Sequence, residues 1–389
     1  MMPGDSPFDF ASAGRLVFGW ERLQELPQLV SGFGPRVLLI CGSNPERIQP
    51  CLNLLKIDHP EVECFQVHGE PSIGTIEAGS RKAREGFDWI LGIGGGSVLD
   101  AAKAIAIMAR QTGEVMDYLE VIGRGQSFES PGLPIVAIPT TAGTGSEVTR
   151  NAVLSSTEHK VKVSMRHPSM LPTIALVDPA MTRSCPPAIT AATGLDALTQ
   201  LIEPFLSCKA NPLTDAFCLQ GIPLAARSIR TVFEQPDNQQ ARTDMALASL
   251  LGGLALASSG LGAVHGIAGP FGGMFPGAPH GAICAALLPG SLEVNHRALK
   301  ERHPDHICLQ RFDALTLMVT GNTHAPIESM LNWVYETIAK LNIPGLGTYG
   351  FNIKHLPDLI QKSKNASSMK GNPIELTDTE IQTLIQKAV

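Results

Sequence analysis

The stretch "GLDALTQLIEP", Gly194 to Pro204, sets a carboxylate and an amide four residues apart, at Asp196 and Gln200. On a helix running out of "TAAT" that spacing puts both side chains on one face, which suits two metal ligands. Glutamine is an odd second ligand, because its amide oxygen is neutral, less basic than imidazole and a harder donor. Three readings stay open on these residues alone: a metal site with a weak ligand, a site that has lost its metal, or a helix N-terminal carboxylate that answers the dipole and binds nothing. A second kind of chemistry is suggested by "ILGIGGGSVLD", where Gly94, Gly95, Gly96 and Ser97 lie between a strand and a helix that begins near Val98. Glycines there let a phosphate approach the backbone at a helix N-terminus with free N–H donors. Taken alone they mark a tight turn equally well, and they match neither GxGxxG nor GxxxxGK[ST]. The loop "AIPTTAGTGSEVT" changes that balance, since it brings Thr140, Thr141, Thr144 and Ser146 as hydroxyl donors around Gly143 and Gly145. Two such loops at adjacent strand ends make a cradle for a dinucleotide.

The elements that must hold these loops follow two rhythms. Up to about Asp178, the runs "RVLLICG", "CFQVHG", "WILGIGGGS", "LPIVAIPTT" and "TIALVD" read as buried strands,. Helical stretches such as "TIEAGSRKAREG" and "VLDAAKAIAIMARQ" alternate with them. That βαβ alternation predicts an open parallel sheet with helices on both faces, and ligands in such sheets bind beyond the carboxyl ends of the strands. After "VDPAMTRSCPPAIT" long helices take over: "TDAFCLQGIPLAARSIRTVFE", "TDMALASLLGGLALASS", "IESMLNWVYETIAKL" and a last helix opened by the capping box Thr377-x-x-Glu380,. The expected division is an α/β dinucleotide-binding domain over residues 1–182 and an all-helical metal and substrate domain over 183–389.

Composition narrows the class of partner. The chain has 389 residues, 44% hydrophobic and 17% charged, with 38 glycines and a net charge of −6, so two domains with sizeable cores are expected,. No basic stripe invites nucleic acid or an anionic membrane, which leaves a small molecule as the default partner. Between Met245 and Leu292 no Asp, Glu, Lys or Arg occurs, a length that could span a bilayer,. The run is broken by "GPFGGMFPGAPHG" and is rich in Gly, Ala and Ser, so buried core helices are expected instead. The eight cysteines include no CxxC pair, and "MMPGDSPFDF" has neither a basic start nor an apolar core, so a reducing cytoplasm is expected,.

The motifs "GGGSVLDAAKAIA", "PTTAGTGSEVT", "VDPAMT", "GLDAL", "VHGIAGPFGG", "PHGA" and "ALLPGSLEVN", in that order, resemble the iron-containing (group III) alcohol dehydrogenase family. The likeness runs from "GRLVFG" to "GNPIELTDTEI", essentially the whole chain. It implies a dehydroquinate synthase-like fold, an active site in the cleft between two domains, and hydride transfer between a nicotinamide and an alcohol or aldehyde. Gly94 to Ser97 would then hold the pyrophosphate, Thr140, Thr141 and Thr144 the nicotinamide side, and Asn151 and Lys162 the cofactor ribose. Without the resemblance, Asn151 reads as a solvated loop residue and Lys162 as a surface lysine. Many members carry Asp just after the first strand, where it accepts ribose hydroxyls and repels a 2′-phosphate. Gly42 stands there in this chain, with Ser43, Asn44 and Arg47 nearby, so NADP(H) is expected to be favoured over NAD(H).

The family's metal is typically held by one Asp and three His. Asp196 matches the first, Gln200 stands at the second, His265 matches the third and His280 the fourth. A further histidine, often four residues after the third ligand, is Gly269, and the spacing from His265 to His280 is one residue longer than the family pattern. Read without the family, His265 is a core histidine and His280 a helix cap. With Gln in place of His the first-shell charge is unchanged, so Asp196 and two histidines with a divalent ion, Fe²⁺ or Zn²⁺, give a net +1 site that acts as a Lewis acid. The competing readings are a metal-independent enzyme of the maleylacetate reductase type and a nucleotide-binding protein without turnover. A homodimer or higher homo-oligomer is a further expectation carried by the resemblance.

Overall fold

The structure is a computed structural model that describes residues 7–56, 61–156, 158–159 and 161–389. Part of the segment read above as lacking a leader, residues 1–6, lies outside them. The described chain forms two compact units, residues 12–141 with 145–185, and residues 186–389 together with 142–144 and 7–11.

The first unit is built on eight strands: β1 (Arg15–Phe18), β2 (Arg36–Cys41), β3 (Glu61–Gln66), β4 (Trp89–Gly94), β5 (Ile135–Pro139), β6 (Asn151–Ser156), β7 (Val161–Arg166) and β8 (Ile174–Val177). Six of them form one parallel sheet in the order β1-β8-β5-β4-β2-β3. The helices of this unit are α1 (Leu26–Val30), α2 (Gln49–Leu55), α3 (Ile73–Ala83), α4 (Gly96–Met108) and α5 (Val115–Tyr118). The apolar runs β2, β4 and β5 are buried along their length because layers of side chains cover both faces of the sheet,. Leu38, Ile40 and Ile90 pack on the α4 side, while Leu39, Leu91 and Val136 pack with Leu26 and Leu55 on the other.

The chain runs outward from β2 to β3 and then returns to β4 on the far side of β2. That reversal makes the carboxyl ends of β2 and β4 the switch point at which open α/β sheets bind ligands.

Three strands depart from the five expected. β1 spans only four residues and joins the sheet by pairing with β8, a tertiary partnership that a short run cannot announce. β6 and β7 form a separate antiparallel hairpin, with Asn151 opposite Arg166. Its inward positions, Ala152, Leu154, Val163 and Met165, are buried against the α4 side of the sheet and alternate with residues that are half-buried or exposed.

The second unit is all helical: α6 (Pro187–Leu206), α7 (Pro212–Glu234), α8 (Gln239–Ser259), α9 (Ala263–Met274), α10 (His280–Arg302), α11 (Cys308–Thr320), α12 (Ile327–Lys340), α13 (Leu356–Asn365) and α14 (Asp378–Gln386). Prolines at the first turn start α6 and α7, where a missing N–H costs nothing, and the Thr377/Glu380 capping box opens α14,. The charge-free run falls on most of α8, on α9 and on the first half of α10, whose side chains are mostly buried in one core. Among the described residues no single helix is long and apolar enough to cross a membrane, and α8 and α9 meet at 97°.

Candidate metal centre and cofactor loops

Helix α6 carries Asp196, Gln200 and Glu203 on successive turns of one face, all buried,. Asp196 lies well inside the helix, so it is not a first-turn carboxylate answering the dipole. Residue 265 enters from α9 and residue 280 from the first position of α10. The two imidazoles reach ring centroids 5.4 Å apart. His280 is not the cap of α10, because Pro279 occupies that position. Backbone approach is what brings α10 against α6: a Cβ on Gly281 would stand 2.4 Å from the carbonyl oxygen of Ala192.

Asp196, Gln200 and His265 are 1%, 4% and 7% exposed, yet among the described residues Asp196 Oδ1, Gln200 Oε1 and His265 Nε2 have no hydrogen-bond partner. Buried polar atoms without partners are costly and rare in native folds. Here they occur together, in a group where ligand atoms of Asp196, His265, His280 and Cys284 all lie within 4.8 Å of one another. His265 Nε2 stands 3.4 Å from Asp196 Oδ1. That is the separation, about 3.4 Å, of two donors bound at about 2.1 Å to one tetrahedral ion. The donor set fits a divalent metal.

The rest of the shell orients these atoms. Glu203 Oε2 lies 2.6 Å from His265 Nδ1, and its Oε1 accepts from the Val264 amide at 2.7 Å. A carboxylate can only accept, so Nδ1 carries the proton, and Nε2 is the nitrogen this ring would offer to an ion beside Asp196,. Gln200 Nε2 donates to Asp196 Oδ2 at 2.9 Å, which fixes the amide with its oxygen left over. Burial raises the Asp196 carboxyl, but His265, His280 and Gln200 outweigh it and hold the group below the usual carboxylate range. Burial likewise lowers His265, and the opposing fields of Cys284, Glu203 and Asp196 leave it well above its ordinary value. Both shifts describe a pocket that favours positive charge.

Two of these residues were not anticipated from the sequence. Glu203 lies seven residues after Asp196 and Cys284 four after His280, both helical spacings. The helices also share a feature: α6, α9 and α10 contain internal prolines, Pro204, Pro270 and Pro289. At Gly269, in the place of the family's additional histidine, a Cβ would meet nothing within 4 Å.

In the α/β unit, the expected cofactor residues sit at neighbouring strand ends. Gly42, Ser43 and Asn44 follow β2, Gly94 to Ser97 join β4 to α4, and Thr140 and Thr141 follow β5. Register places Cys41 beside Ile93 and Gly94 beside Pro139, so the three loops are adjacent. Helix α4 begins at Gly96, earlier than expected, and its N-cap Gly95 offers no side-chain cap, which leaves its first N–H groups available to phosphate,. Thr144 belongs by contacts to the helical unit, and Gly145 follows at φ 59°, a left-handed conformation suited to glycine,.

Three of the polar groups named from the sequence have partners within this unit. Ser146 turns its hydroxyl inward to Asp100 Oδ1 at 2.5 Å and serves the loop rather than acting as a free donor. Its carbonyl accepts from Lys103 Nζ, which also reaches Thr149 Oγ1 and Asp100, so a buried cation ties α4 to the second loop. Lys162 is not a surface lysine: its side chain is 7% exposed and its ammonium lies 2.5 Å from Glu70 Oε1. Arg47 Nη2 donates to the Ser184 carbonyl at 2.5 Å, so part of the guanidinium offered to a 2′-phosphate is already engaged. Asn151 opens β6, half-buried.

The family model for iron-containing alcohol dehydrogenase matches residues 13–179, and that for the Fe-containing alcohol dehydrogenase family, C-terminal, matches 190–389. The chain belongs to the iron-containing alcohol dehydrogenase family. Long-chain-alcohol dehydrogenase 1 of Geobacillus thermodenitrificans is 35% identical over 397 aligned positions, covering 97% of each chain. A crystal structure of 1,3-propanediol oxidoreductase superposes with a TM-score of 0.90 at 31% identity, over 99% of this chain and 100% of that one. Sulfoacetaldehyde reductase of Bifidobacterium kashiwanohense, solved in complex with NAD⁺, gives a TM-score of 0.86 at 26% identity, over 98% and 99%. This iron-containing alcohol dehydrogenase is therefore an oxidoreductase that uses a nicotinamide cofactor and a divalent metal.

Proposed function

We propose that the enzyme interconverts an alcohol and its aldehyde or ketone with a metal held by Asp196, Gln200, His265 and His280 and NADP(H) preferred over NAD(H). The observation that carries the metal assignment is the convergence of three buried, unpartnered donors, which a metal-independent reductase would have no reason to keep,. A divalent ion there, Fe²⁺ or Zn²⁺, supplies Lewis-acid polarisation of the substrate oxygen. The nicotinamide supplies or accepts the hydride.

What the chain itself does is hold these partners in place. Glu203 keeps the proton on Nδ1 of His265, and Gln200 steadies Asp196. The uncapped start of α4 and the hydroxyls of Thr140, Thr141 and Thr144 receive the cofactor, with Asn151 and Lys162 on its ribose side. Gly42 supports the NADP(H) preference, since the position directly after β2 carries no carboxylate to repel a 2′-phosphate, and Ser43 and Asn44 offer it polar groups,. The open space at Gly269 supports a bulkier or polar substrate and requires proton transfer through water or through hydroxyls of the substrate and ribose. Residues 1–182 form the cofactor half and 183–389 the metal and substrate half of what we take to be a cytoplasmic homodimer or higher oligomer.

Elemental analysis of protein purified without chelator, paired with NADPH and NADH oxidation against a panel of aldehydes and keto acids, tests the reading. It predicts about one metal per chain, loss of activity on chelation that Fe²⁺ or Zn²⁺ restores, and a higher kcat/KM with NADPH. Full activity in metal-free protein rejects the metal assignment, and a strong NADH preference rejects the cofactor assignment.

A further inference from the structure

Cys284 is the one member of the donor cluster that the function above leaves idle. It lies one turn after His280 on α10, is fully buried, and places its sulfur 3.6 Å from His280 Nε2. We propose that Cys284 is a metal ligand, a sulfur donor that completes the set Asp196, His265 and His280 where the amide oxygen of Gln200 is weak. This rests on the metal assignment made above and adds to it the identity of a donor.

Distance and context both support the assignment. Around one tetrahedral ion, a nitrogen at about 2.0 Å and a sulfur at about 2.3 Å stand about 3.5 Å apart, close to the observed Sγ–Nε2 separation. A simple thiol hydrogen bond to His280 would account for that one contact. It would leave Asp196 Oδ1, Gln200 Oε1 and His265 Nε2 unpartnered in the same buried space, whereas an ion among all of them satisfies the set. Positions matter as well: Asp196 and Gln200 face the cluster at i and i+4 on α6, and His280 and Cys284 repeat that spacing on α10. The cluster thus receives one pair from each helix, with His265 entering from α9.

On coordination the S–H bond breaks, the sulfur keeps the electron pair and gives it to the ion, and the proton leaves to solvent. Two anionic donors, Asp196 and Cys284, then bring a divalent ion to net zero, against +1 for the set without sulfur. A thiolate also selects by softness: Zn²⁺, Fe²⁺ and Co²⁺ are favoured, while Mg²⁺ and Mn²⁺, which prefer oxygen, are disfavoured.

The test uses full-length enzyme in which the two exposed thiols are removed, Cys64→Ser and Cys208→Ser, to suppress adventitious binding. This protein is loaded with Zn²⁺ for X-ray absorption and with Co²⁺ for electronic absorption. The expected result is one sulfur scatterer at about 2.3 Å with nitrogen and oxygen near 2.0–2.1 Å, and a sulfur-to-cobalt charge-transfer band in the near ultraviolet. Cys284→Ser removes both signatures and lowers Zn²⁺ affinity about 100-fold, the upper end of what loss of a supporting group around a metal costs. Because the first measurement needs no change at residue 284, a Cys284→Ser protein that fails to fold leaves the test intact. One metal per chain with only nitrogen and oxygen neighbours overturns the sulfur ligand and leaves the metal site standing. Failure to bind metal at all overturns both.

Discussion

Glu203 Oε2 lies 2.6 Å from Nδ1 of His265, and this contact fixes which nitrogen of that ring faces Asp196. Replacing Glu203 by Gln keeps the size but removes the obligate acceptor, so the amide can present its NH₂ and the ring loses its fixed tautomer. Zn²⁺ affinity of Glu203→Gln is expected to fall about 10–100-fold, read by competition with a chromogenic chelator. Unchanged affinity would show that the carboxylate serves the fold and not the ring.

Gly281 determines how near α10 comes to α6. A methyl group there would press on the Ala192 carbonyl at 2.4 Å and stand 3.3 Å from the Asp196 Cβ. Gly281→Ala is expected to lower stability by about 1–3 kcal/mol, as overpacking of a tight contact does, and to reduce metal content by separating His280 from Asp196. Thermal denaturation of metal-free protein measures the first effect and elemental analysis the second.

Gln200→His exchanges a weak oxygen donor for imidazole at the same turn of α6,. Slower metal loss to a chelator, by about 10-fold, is the expected outcome. No change in the rate would mean that residue 200 does not reach the ion and only steadies Asp196 through its 2.9 Å hydrogen bond.

Glu147, fully buried in the second loop, is pushed up to about 7 by that burial, against the opposing pull of its own backbone and of Lys103. A carboxyl raised in the folded state binds more protons there than in the unfolded chain. Its contribution to stability is therefore complete below the unfolded value of 4.5 and is lost as pH rises through about 7,. Melting temperatures of the wild type are expected to fall across that window relative to Glu147→Gln, which keeps the shape and cannot ionise. Parallel curves for the two proteins would refute the assignment.

Where the sequence was legible, period and chemistry agreed. β2, β4 and β5 are near-continuous apolar runs ended by glycine or threonine, and each leads into the loop expected after it. Asp196, His265 and His280 were visible through motif order, and folding brings them together. Elements defined by a partner were harder to see. β1 has too few residues to show a period and exists because β8 accepts it. Ser146 and Lys103 look like a loop hydroxyl and a helix-surface lysine, yet each finds its role across a sequence distance that no local pattern spans. Glu203 and Cys284 carry a local signal, helical spacing from a ligand, but it is masked because one precedes a proline and the other stands among alanines.

The prolines inside α6, α9 and α10 bear on how the site works. Proline has no N–H, so each removes the hydrogen bond that would reach four residues back. The carbonyls deprived of that donor are those of Gln200, Gly266 and Ala285, which are or adjoin the site residues Gln200, His265 and Cys284. Each ligand-bearing helix is thus interrupted next to its own donor, like a rod with a joint beside the grip. Each break frees a backbone carbonyl beside a residue that would hold the ion, while the residues on either side of it stay packed in one core,.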